Sequence, residues 1–124
     1  MNIILSIARS IAPNSLSIWT HHMSGISISQ TFKPEGCNYF IDTPAITAAA
    51  GSQMMDINLA ASLQNLTIIS GGCETVGIGG YLTGGGHSVL SPIYGLAADQ
   101  VLEMNIVTPG GDILVVNECQ NQDL

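Results

Sequence analysis

Residues 71 to 88, GGCETVGIGGYLTGGGHS, hold eight of the 14 glycines of the chain, with a cysteine near the start and a histidine near the end. Because glycine tolerates positive φ and close backbone approach, such a run can turn several amides toward one centre. Neither standard phosphate signature is present, since no Lys-Ser/Thr pair follows Gly85 and GIGGYLTG lacks the Gly-x-Gly-x-x-Gly register. A phosphate cradle, a reactive-cysteine site and a flexible turn all stay open.

Composition limits the partners of the chain. Its 124 residues suffice for one small domain. Hydrophobic residues make up 46 % and charged residues 9 %, against roughly 25 % charged in a typical soluble domain, which predicts that apolar surface lies against a cofactor, another chain or further polypeptide. The net charge of −7 argues against nucleic-acid binding, because it repels phosphate backbones. No apolar run reaches the roughly 20 residues of a membrane span, so no membrane partner is predicted.

Cysteine and histidine spacing predicts no metal centre. There is no CxxC motif, and an odd number of cysteines allows at most one disulfide, so at least one thiol is free. His21 and His22 would point to opposite faces of an extended segment. A metal-binding protein that uses these two residues, His87 and cysteines is the weakest alternative. The three cysteines are Cys37, Cys73 and Cys119.

The start of the chain, MNIILSIARSIA, is a poor signal peptide at best, because its basic residue follows the apolar stretch instead of preceding it. Asn65, Leu66 and Thr67 form an N-glycosylation tripeptide, which counts only if the chain is secreted. The sequence therefore leaves the localisation open.

Apolar periodicity predicts short elements of both kinds. Alternation favours strands at 15–20 and 25–32, an apolar run favours a buried strand at 45–51, and LTIIS favours another at 66–70. Helical spacing over 52–64 predicts the one good helix. Its expected features are Ser52 as N-cap, Asp56 near the first turn, Met54, Ile57 and Ala61 in the core, and Met55, Leu59 and Leu63 as further candidates for the core.

The second half ends in a predicted hairpin. Residues 101–108 and 112–118 flank PGGD, which is a strong turn signal. Asn121 or Asp123 would then cap a helix at the point where the sequence stops, and this predicts a domain that continues in a longer parent.

Several linked motifs resemble one family. TVGIGGYLTGGGHS, YGLAADQVLEMNIVTPGG, NECQNQDL and the upstream IAPNSLSIWTHHMSGISISQTFKP resemble the PCMH-type FAD-binding domain of vanillyl-alcohol oxidases, closest to the berberine-bridge-enzyme-like FAD-linked oxidases of fungal secondary metabolism. The resemblance implies an α+β fold of short mixed and antiparallel strands with a few helices, with residues 1–124 forming part of that domain. It also implies FAD as cofactor and a small-molecule substrate.

The resemblance implies contacts to the flavin from the glycine stretch, and from the chain at 102–107 beside the adenine half. GGCETVG places Cys73 where bicovalent members attach the flavin at C6, which makes Cys73 a candidate covalent anchor. No catalytic residue and no metal ligand is assigned. The implied cofactor-binding residues are Cys73, Thr75, Val76, Gly77, Gly79, Gly80, Gly84, Gly85, Gly86, His87, Ser88 and Val107.

The chain also departs from the family pattern. IARS at 7–10 resembles the Arg-Ser end of the segment that carries the attachment histidine, but MNIILS before it has neither that histidine nor a glycine. The preceding subdomain and the substrate domain have no counterpart here. We therefore expect a FAD-linked oxidoreductase, with alkaloid formation including the ergot type as one setting by analogy, whose truncated chain is inactive. The alternative is a non-catalytic binding or interaction module.

Overall fold

A computed structural model of the chain describes residues 13–124. The signal-like stretch MNIILSIARSIA and the IARS segment lie outside these residues. Two 3-10 turns, Thr20–His22 and Ala97–Gln100, accompany short helices and strands. In chain order these are β1 (Ile26–Ser29), β2 (Ala45–Ala48), α1 (Met54–Ser62), α2 (Ile78–Thr83), α3 (Ser91–Tyr94), β3 (Glu103–Val107) and β4 (Ile113–Asn117). The predicted α+β class is confirmed.

Strands β1 and β2 form one antiparallel pair, with Ile26 opposite Ala48. The alternation predicted for β1 is confirmed, because Ile26 and Ile28 are half-buried while the serines between them are exposed. Strand β2 ends at Ala48, before the predicted end at Gly51. Gly51 instead packs so closely on the Thr20–His22 turn that a Cβ would lie 1.9 Å from the Thr20 oxygen.

Strands β3 and β4 form the predicted hairpin, in which Glu103 lies opposite Asn117 and Val107 opposite Ile113. The Thr108 amide donates to the Asp112 oxygen across the turn at 2.9 Å. Gly111 has a φ of 92°, which favours glycine over residues with a side chain.

Helix α1 supplies the centre of the core. Met54, Ile57 and Ala61 are buried as predicted, and Asp56 lies in the first turn. The further residues at helical spacing, Met55, Leu59 and Leu63, do not join the core, because they lie on the opposite face and are 48 %, 58 % and 77 % exposed.

The predicted N-cap is also wrong. Gln53 occupies that position without a side-chain cap. The buried Ser52 hydroxyl instead donates to the Gly25 oxygen and accepts from the Gly25 amide, both at 3.1 Å. Ser52 therefore ties the start of α1 to the entry of β1.

Two predicted strands and one predicted helix start are absent from the described residues. Residues 15–19 and 66–70 are irregular, because neither segment pairs with a strand within 13–124. Asn121 lies in a turn with a φ of 51°, and no helix follows it in the described part of the chain. The positive φ contradicts Asn121 as a helix N-cap, whereas Asp123 as a cap stays a prediction.

The β3–β4 hairpin is fastened to the 34–37 loop by what we call the hairpin anchor, formed by Glu35, Cys37, Glu103, Asn117 and Cys119. Cys37 and Cys119 form a disulfide across a separation of 82 residues. The Glu103 carboxylate accepts from the Glu35 amide at 2.7 Å and from the Asn117 side chain at 2.9 Å. Cys37 and Asn117 are buried, whereas the bond between the Glu35 amide and Glu103 is exposed to solvent. The third cysteine, Cys73, is free, as the odd number predicted.

The disulfide generates a stability prediction. Replacing Cys37 and Cys119 together by serine should lower the free energy of unfolding by about 4 kcal/mol, because the unfolded chain regains the entropy of a long closed loop. Urea titration followed by circular dichroism measures the loss. Cys73→Ser is the matched control, and this exposed position should change stability by less than about 0.5 kcal/mol. Equal midpoints for the double variant and the control would contradict the cross-link.

Candidate functional site

The glycine stretch folds as a turn, a short helix and a glycine return. Residues 73–76 form the turn, in which the Val76 amide donates to the Cys73 oxygen at 3.4 Å. Helix α2 follows directly, and Gly77 is its N-cap. The glycine content did not predict this helix.

The turn caps α1 through its backbone. The Met54 amide donates to the Val76 oxygen at 3.0 Å, and the Met55 amide donates to the Glu74 oxygen at 2.9 Å. These bonds satisfy amides at the first turn of α1, which would otherwise need a side-chain cap. The turn that carries Cys73 is therefore fixed to the main core helix.

The first amides of α2 are also bound within the protein. The Ile78 amide donates to the Ser52 oxygen at 2.9 Å, and the Gly79 amide donates to the Ala50 oxygen at 3.0 Å. These two amides are therefore not available to a phosphate. The backbone around Gly79 approaches so closely that a Cβ would lie 3.0 Å from both the Cβ and the oxygen of Ala50.

The last two glycines of the stretch are required by the backbone conformation of the fold. Gly85 and Gly86 have φ values of 94° and 74°. A Cβ on Gly86 would lie 2.5 Å from the Ala97 Cβ and 3.0 Å from the Tyr81 ring. The Ala97 amide donates to the Gly86 oxygen at 2.9 Å, which fixes the return against the 97–100 turn.

Gly72 and Gly80 differ from these glycines. No atom lies within 4 Å of a Cβ built on either residue, and neither has a positive φ. Gly80 also lies inside α2, where glycine is less stable than alanine by roughly 0.5–1 kcal/mol. Neither packing nor backbone conformation within residues 13–124 requires glycine at these two positions. Gly77 and Gly84 lie between these two classes, because a Cβ on Gly77 would lie 3.5 Å from the Ala50 oxygen and a Cβ on Gly84 would lie 3.2 Å from the Gly80 oxygen.

The predicted side chains of the stretch fall into two groups. Cys73, Thr75 and His87 are exposed, and the Cys73 Sγ lies 3.9 Å from the Thr75 Oγ1. Ser88 is buried, and its hydroxyl accepts from the Leu90 amide at 3.3 Å. The Ser88 amide in turn donates to the Ser91 hydroxyl at 3.0 Å, so Ser88 organises the start of α3.

Val107 lies apart from the other predicted residues. It ends β3 beside the hairpin turn and is 71 % exposed. Among residues 13–124, no hydrogen bond links β3 to the glycine stretch. The structure therefore brings together the predicted residues of 73–88 but leaves Val107 on a separate element.

Tyr81 is the residue that sequence reasoning missed. Its hydroxyl lies 2.9 Å from the His87 oxygen and 3.3 Å from the Ile69 oxygen, so it joins both flanks of the stretch. Burial raises the pKa of Tyr81 above its ordinary value, which keeps the hydroxyl protonated as a donor. An aromatic residue flanked by glycines was the available signal, because its ring packs where Gly71 and Gly86 lack side chains.

Two open cavities, of about 590 and 410 Å³, lie beside the hairpin and not at the glycine stretch. The first lies between the 33–38 loop and Glu103, and the second lies between β3, β4 and Leu124. Neither of these two cavities is lined by the glycine stretch.

The histidines differ from their predicted geometry. His21 and His22 lie in a 3-10 turn with their ring centroids 5.1 Å apart, so the opposite-face geometry expected for an extended segment does not apply. His21 stacks on the exposed Trp19 at 5.1 Å. In residues 13–124 no group of three or more His, Cys, Asp or Glu side chains is placed to hold a metal ion.

None of the helices described in 13–124 combines the length and apolar character needed to cross a membrane.

Comparison with known proteins decides the family. The profile of the FAD binding domain family matches residues 6–117. The chain belongs to this FAD-binding domain family. This confirms the predicted family and its cofactor, FAD.

Curated relatives of this FAD-binding domain chain are fungal. It is 43 % identical over 122 residues to FAD-linked oxidoreductase patO of Aspergillus clavatus, covering 95 % of this chain and 20 % of the relative. It is 42 % identical over 118 residues to aurantioclavine synthase cnsA of Penicillium expansum, covering 94 % and 25 %. The chain thus spans about a fifth to a quarter of the length of the relatives it matches.

A solved structure agrees with the fold of this FAD-binding domain chain. The crystal structure of a VAO-type flavoprotein from Myceliophthora thermophila C1 matches it with a TM-score of 0.74 and 38 % identity. The match covers 85 % of this chain and 19 % of the solved chain. The predicted vanillyl-alcohol-oxidase-type fold is therefore confirmed.

The surface of the glycine stretch has room for a ligand such as the cofactor of the FAD-binding domain family. Gly72 and Gly80 leave open space that a ligand can occupy, and the side chains of Cys73 and Thr75 are exposed on the same stretch. Tyr81 and the contacts with α1 hold this backbone in place before a ligand arrives. Preorganised backbone next to open space is a suitable surface for a flavin.

Two glycine-to-alanine variants of this FAD-binding domain chain separate the roles of its glycines. Gly86→Ala should destabilise the chain by roughly 2 kcal/mol or more. Alanine disfavours the left-handed backbone at this position, and its Cβ would overlap the Ala97 Cβ. Gly80→Ala should stabilise it by up to about 1 kcal/mol, because alanine favours the helix and meets no atom. Urea unfolding without flavin measures both changes. Destabilisation by Gly80→Ala would contradict the open space at this position.

Proposed function

We propose that residues 72–80 form one wall of an FAD site in a fungal FAD-linked oxidoreductase of secondary metabolism. The single observation that supports this most strongly is Gly80, a helical glycine that the described protein does not require. A flavin passing close to the α2 backbone explains why a side chain is missing there. Gly72 provides a second open position on the same wall.

The residues of this wall have separate proposed roles. The exposed Cys73 thiol is the candidate covalent anchor, held on a turn that α1 fixes. The backbone at Gly77 and Gly80 and the Thr75 hydroxyl are the proposed polar contacts. Gly79, Gly86 and the buried Ser88 act through the fold, because protein atoms already surround them. His87 and Val107 stay predicted contacts of the cofactor.

Bound FAD supplies an acceptor for the hydride of a substrate and a centre that dioxygen reoxidises. This chain's own residues bind and orient it, and no catalytic base is assigned to them. The proposed substrate is a small molecule oxidised at an alcohol, amine or alkaloid carbon. The relative named aurantioclavine synthase supports small-molecule biosynthesis as the setting. Ergot-alkaloid formation stays a narrower version of this proposal.

The chain alone should bind FAD weakly and show no turnover. One open wall buries little of a cofactor, whereas binding sites normally enclose most of their ligand. Titrating FAD into the purified chain and following flavin absorbance near 450 nm after gel filtration tests this. Stoichiometric flavin that stays bound, with turnover of an alcohol or amine, would contradict it.

A chimaera tests the wall itself. Residues 71–88 replace the matching segment in the VAO-type flavoprotein of Myceliophthora thermophila, and the flavin content of the purified protein is measured. We expect the parent segment to retain flavin, and Gly80→Ala to lower the retained flavin at least about tenfold, the equivalent of 1.4 kcal/mol. Full flavin content in the Gly80→Ala chimaera would refute the proposed contact.

The covalent role of Cys73 has its own readout in that chimaera. A flavin bound covalently through Cys73 should differ in absorbance spectrum from a flavin that lacks this bond. Cys73→Ser should therefore shift the flavin spectrum of the chimaera. Cys73→Ala serves as a second variant, and a spectrum that neither variant changes would exclude Cys73 as an anchor.

A non-catalytic interaction module is the second candidate function. The observation that favours it is an exposed apolar segment, in which Leu16, Ile18 and Trp19 are 88 %, 76 % and 73 % exposed. Apolar surface of this kind marks contact sites in folded proteins. A monomeric chain that unfolds cooperatively and binds no FAD in the titration would favour this candidate over the flavin wall.

A further inference from the structure

The end of α1 contains a possible acceptor for a sugar chain that the flavin site does not use. Asn65, Leu66 and Thr67 form the only Asn-x-Ser/Thr tripeptide of the sequence in which the middle residue is not proline. Such a tripeptide is the acceptor for N-linked oligosaccharides when it lies on the surface of a secreted protein. We propose that Asn65 carries an N-linked glycan.

Asn65 lies in the turn that ends α1. The Leu66 amide donates to the Ala61 oxygen and the Asn65 amide donates to the Ser62 oxygen, both at 3.0 Å. This pair of bonds is a Schellman motif, with Asn65 as the left-handed residue at a φ of 57°. The motif fixes the backbone without the help of the asparagine side chain.

The side chains of the tripeptide are free for modification. Asn65 and Thr67 are exposed, whereas Leu66 between them is half-buried beside the core. Within residues 13–124, neither the side-chain amide of Asn65 nor the hydroxyl of Thr67 makes a hydrogen bond to protein. A glycan on Asn65 therefore breaks no existing bond and extends into solvent.

The disulfide is an independent sign of the compartment in which glycosylation takes place. Cys37 and Cys119 are joined, and such bonds persist in secreted proteins and in the lumen of the endoplasmic reticulum. Cys119 is also synthesised after Asn65, so the acceptor is available before the loop that contains it is closed. The disulfide and the tripeptide thus place the chain in the same pathway.

The position of Asn65 is compatible with the flavin wall. The glycine stretch contacts the start of α1 through Gln53 and Gly77, whereas Asn65 follows its other end. At 1.5 Å per residue, the nine residues of α1 separate the two by roughly 13 Å. The glycan does not depend on the proposed function, and either one can fail without the other.

The modification is a glycosyl transfer without a redox step. The Asn65 Nδ2 forms a bond to C1 of the terminal sugar of a lipid pyrophosphate oligosaccharide, and the bond from that C1 to the pyrophosphate oxygen breaks. The lipid pyrophosphate leaves, and the amide nitrogen loses one proton. The membrane-bound transferase of the host supplies the catalysis and this donor.

The simplest competing explanation is that asparagine is present only because it tolerates the left-handed turn. Expressing the chain in a filamentous fungus behind a secretion signal that delivers it to the endoplasmic reticulum distinguishes glycosylation from this explanation. The sequence contains only two trypsin cleavage sites, Arg9 and Lys33. A protease that cuts after acidic residues is therefore used, because cleavage after Asp56 and Glu74 releases a peptide that contains Asn65. Peptide mass spectrometry is then performed before and after treatment with peptide N-glycosidase.

We expect a glycosylated Asn65 peptide that the glycosidase converts to aspartate. Thr67→Ala, which leaves Asn65 in place, should abolish the glycan, and Thr67→Ser should retain it. Asn65→Gly should also abolish it while preserving the Schellman turn. An unmodified Asn65 peptide in the parent protein would overturn the proposal, as would a glycan that persists in Thr67→Ala.

Discussion

The close backbone approach between the glycine stretch and the residues before α1 organises the described part of the chain. Gly79 lies against Ala50. Two hydrogen bonds join the segments, since the Ile78 amide donates to the Ser52 oxygen and the Met54 amide donates to the Val76 oxygen. Through these bonds α1 and α2 cap one another without charged or hydroxyl side chains. A larger residue at Gly79 would press on Ala50 and disturb the contact that holds the 73–76 turn, with Cys73, against the start of α1.

This contact changes the meaning of the glycines. A glycine-rich stretch predicts either flexible backbone or a ligand cradle, yet several of these glycines are packed against protein atoms. Gly86 combines a positive φ with close neighbours and Gly85 has a positive φ, whereas Gly72 and Gly80 have neither feature. Sequence alone does not separate glycines that the fold requires from glycines that face open space, because both are the same residue type and differ only in their surroundings. Three-dimensional contacts narrow the proposed cradle to Gly72 and Gly80, the glycines of the stretch that neither packing nor backbone conformation within residues 13–124 explains.

The features predicted correctly from sequence depend on local chemistry. The face of α1 with Met54, Ile57 and Ala61 follows from helical spacing, and the β3–β4 hairpin follows from its turn residues. The wrong predictions at 15–20 and 66–70 concern segments that need a strand beside them, and none pairs with them within residues 13–124. Ser52 was misassigned for a similar reason, because its partner Gly25 is distant in sequence.

In the candidate site, the resemblance identified the family, while the side-chain roles needed coordinates. Exposed hydrophobic residues at 16–19 and the open glycines at 72 and 80 are both surfaces that the described protein leaves uncovered. A cofactor lying on the glycine wall would cover the second surface but not explain the first. Since the wall is held by backbone hydrogen bonds, it needs no partner to be ordered. Flavin binding would then act on a wall that is already formed, so its affinity depends on how much of the cofactor is enclosed and not on the cost of folding the wall.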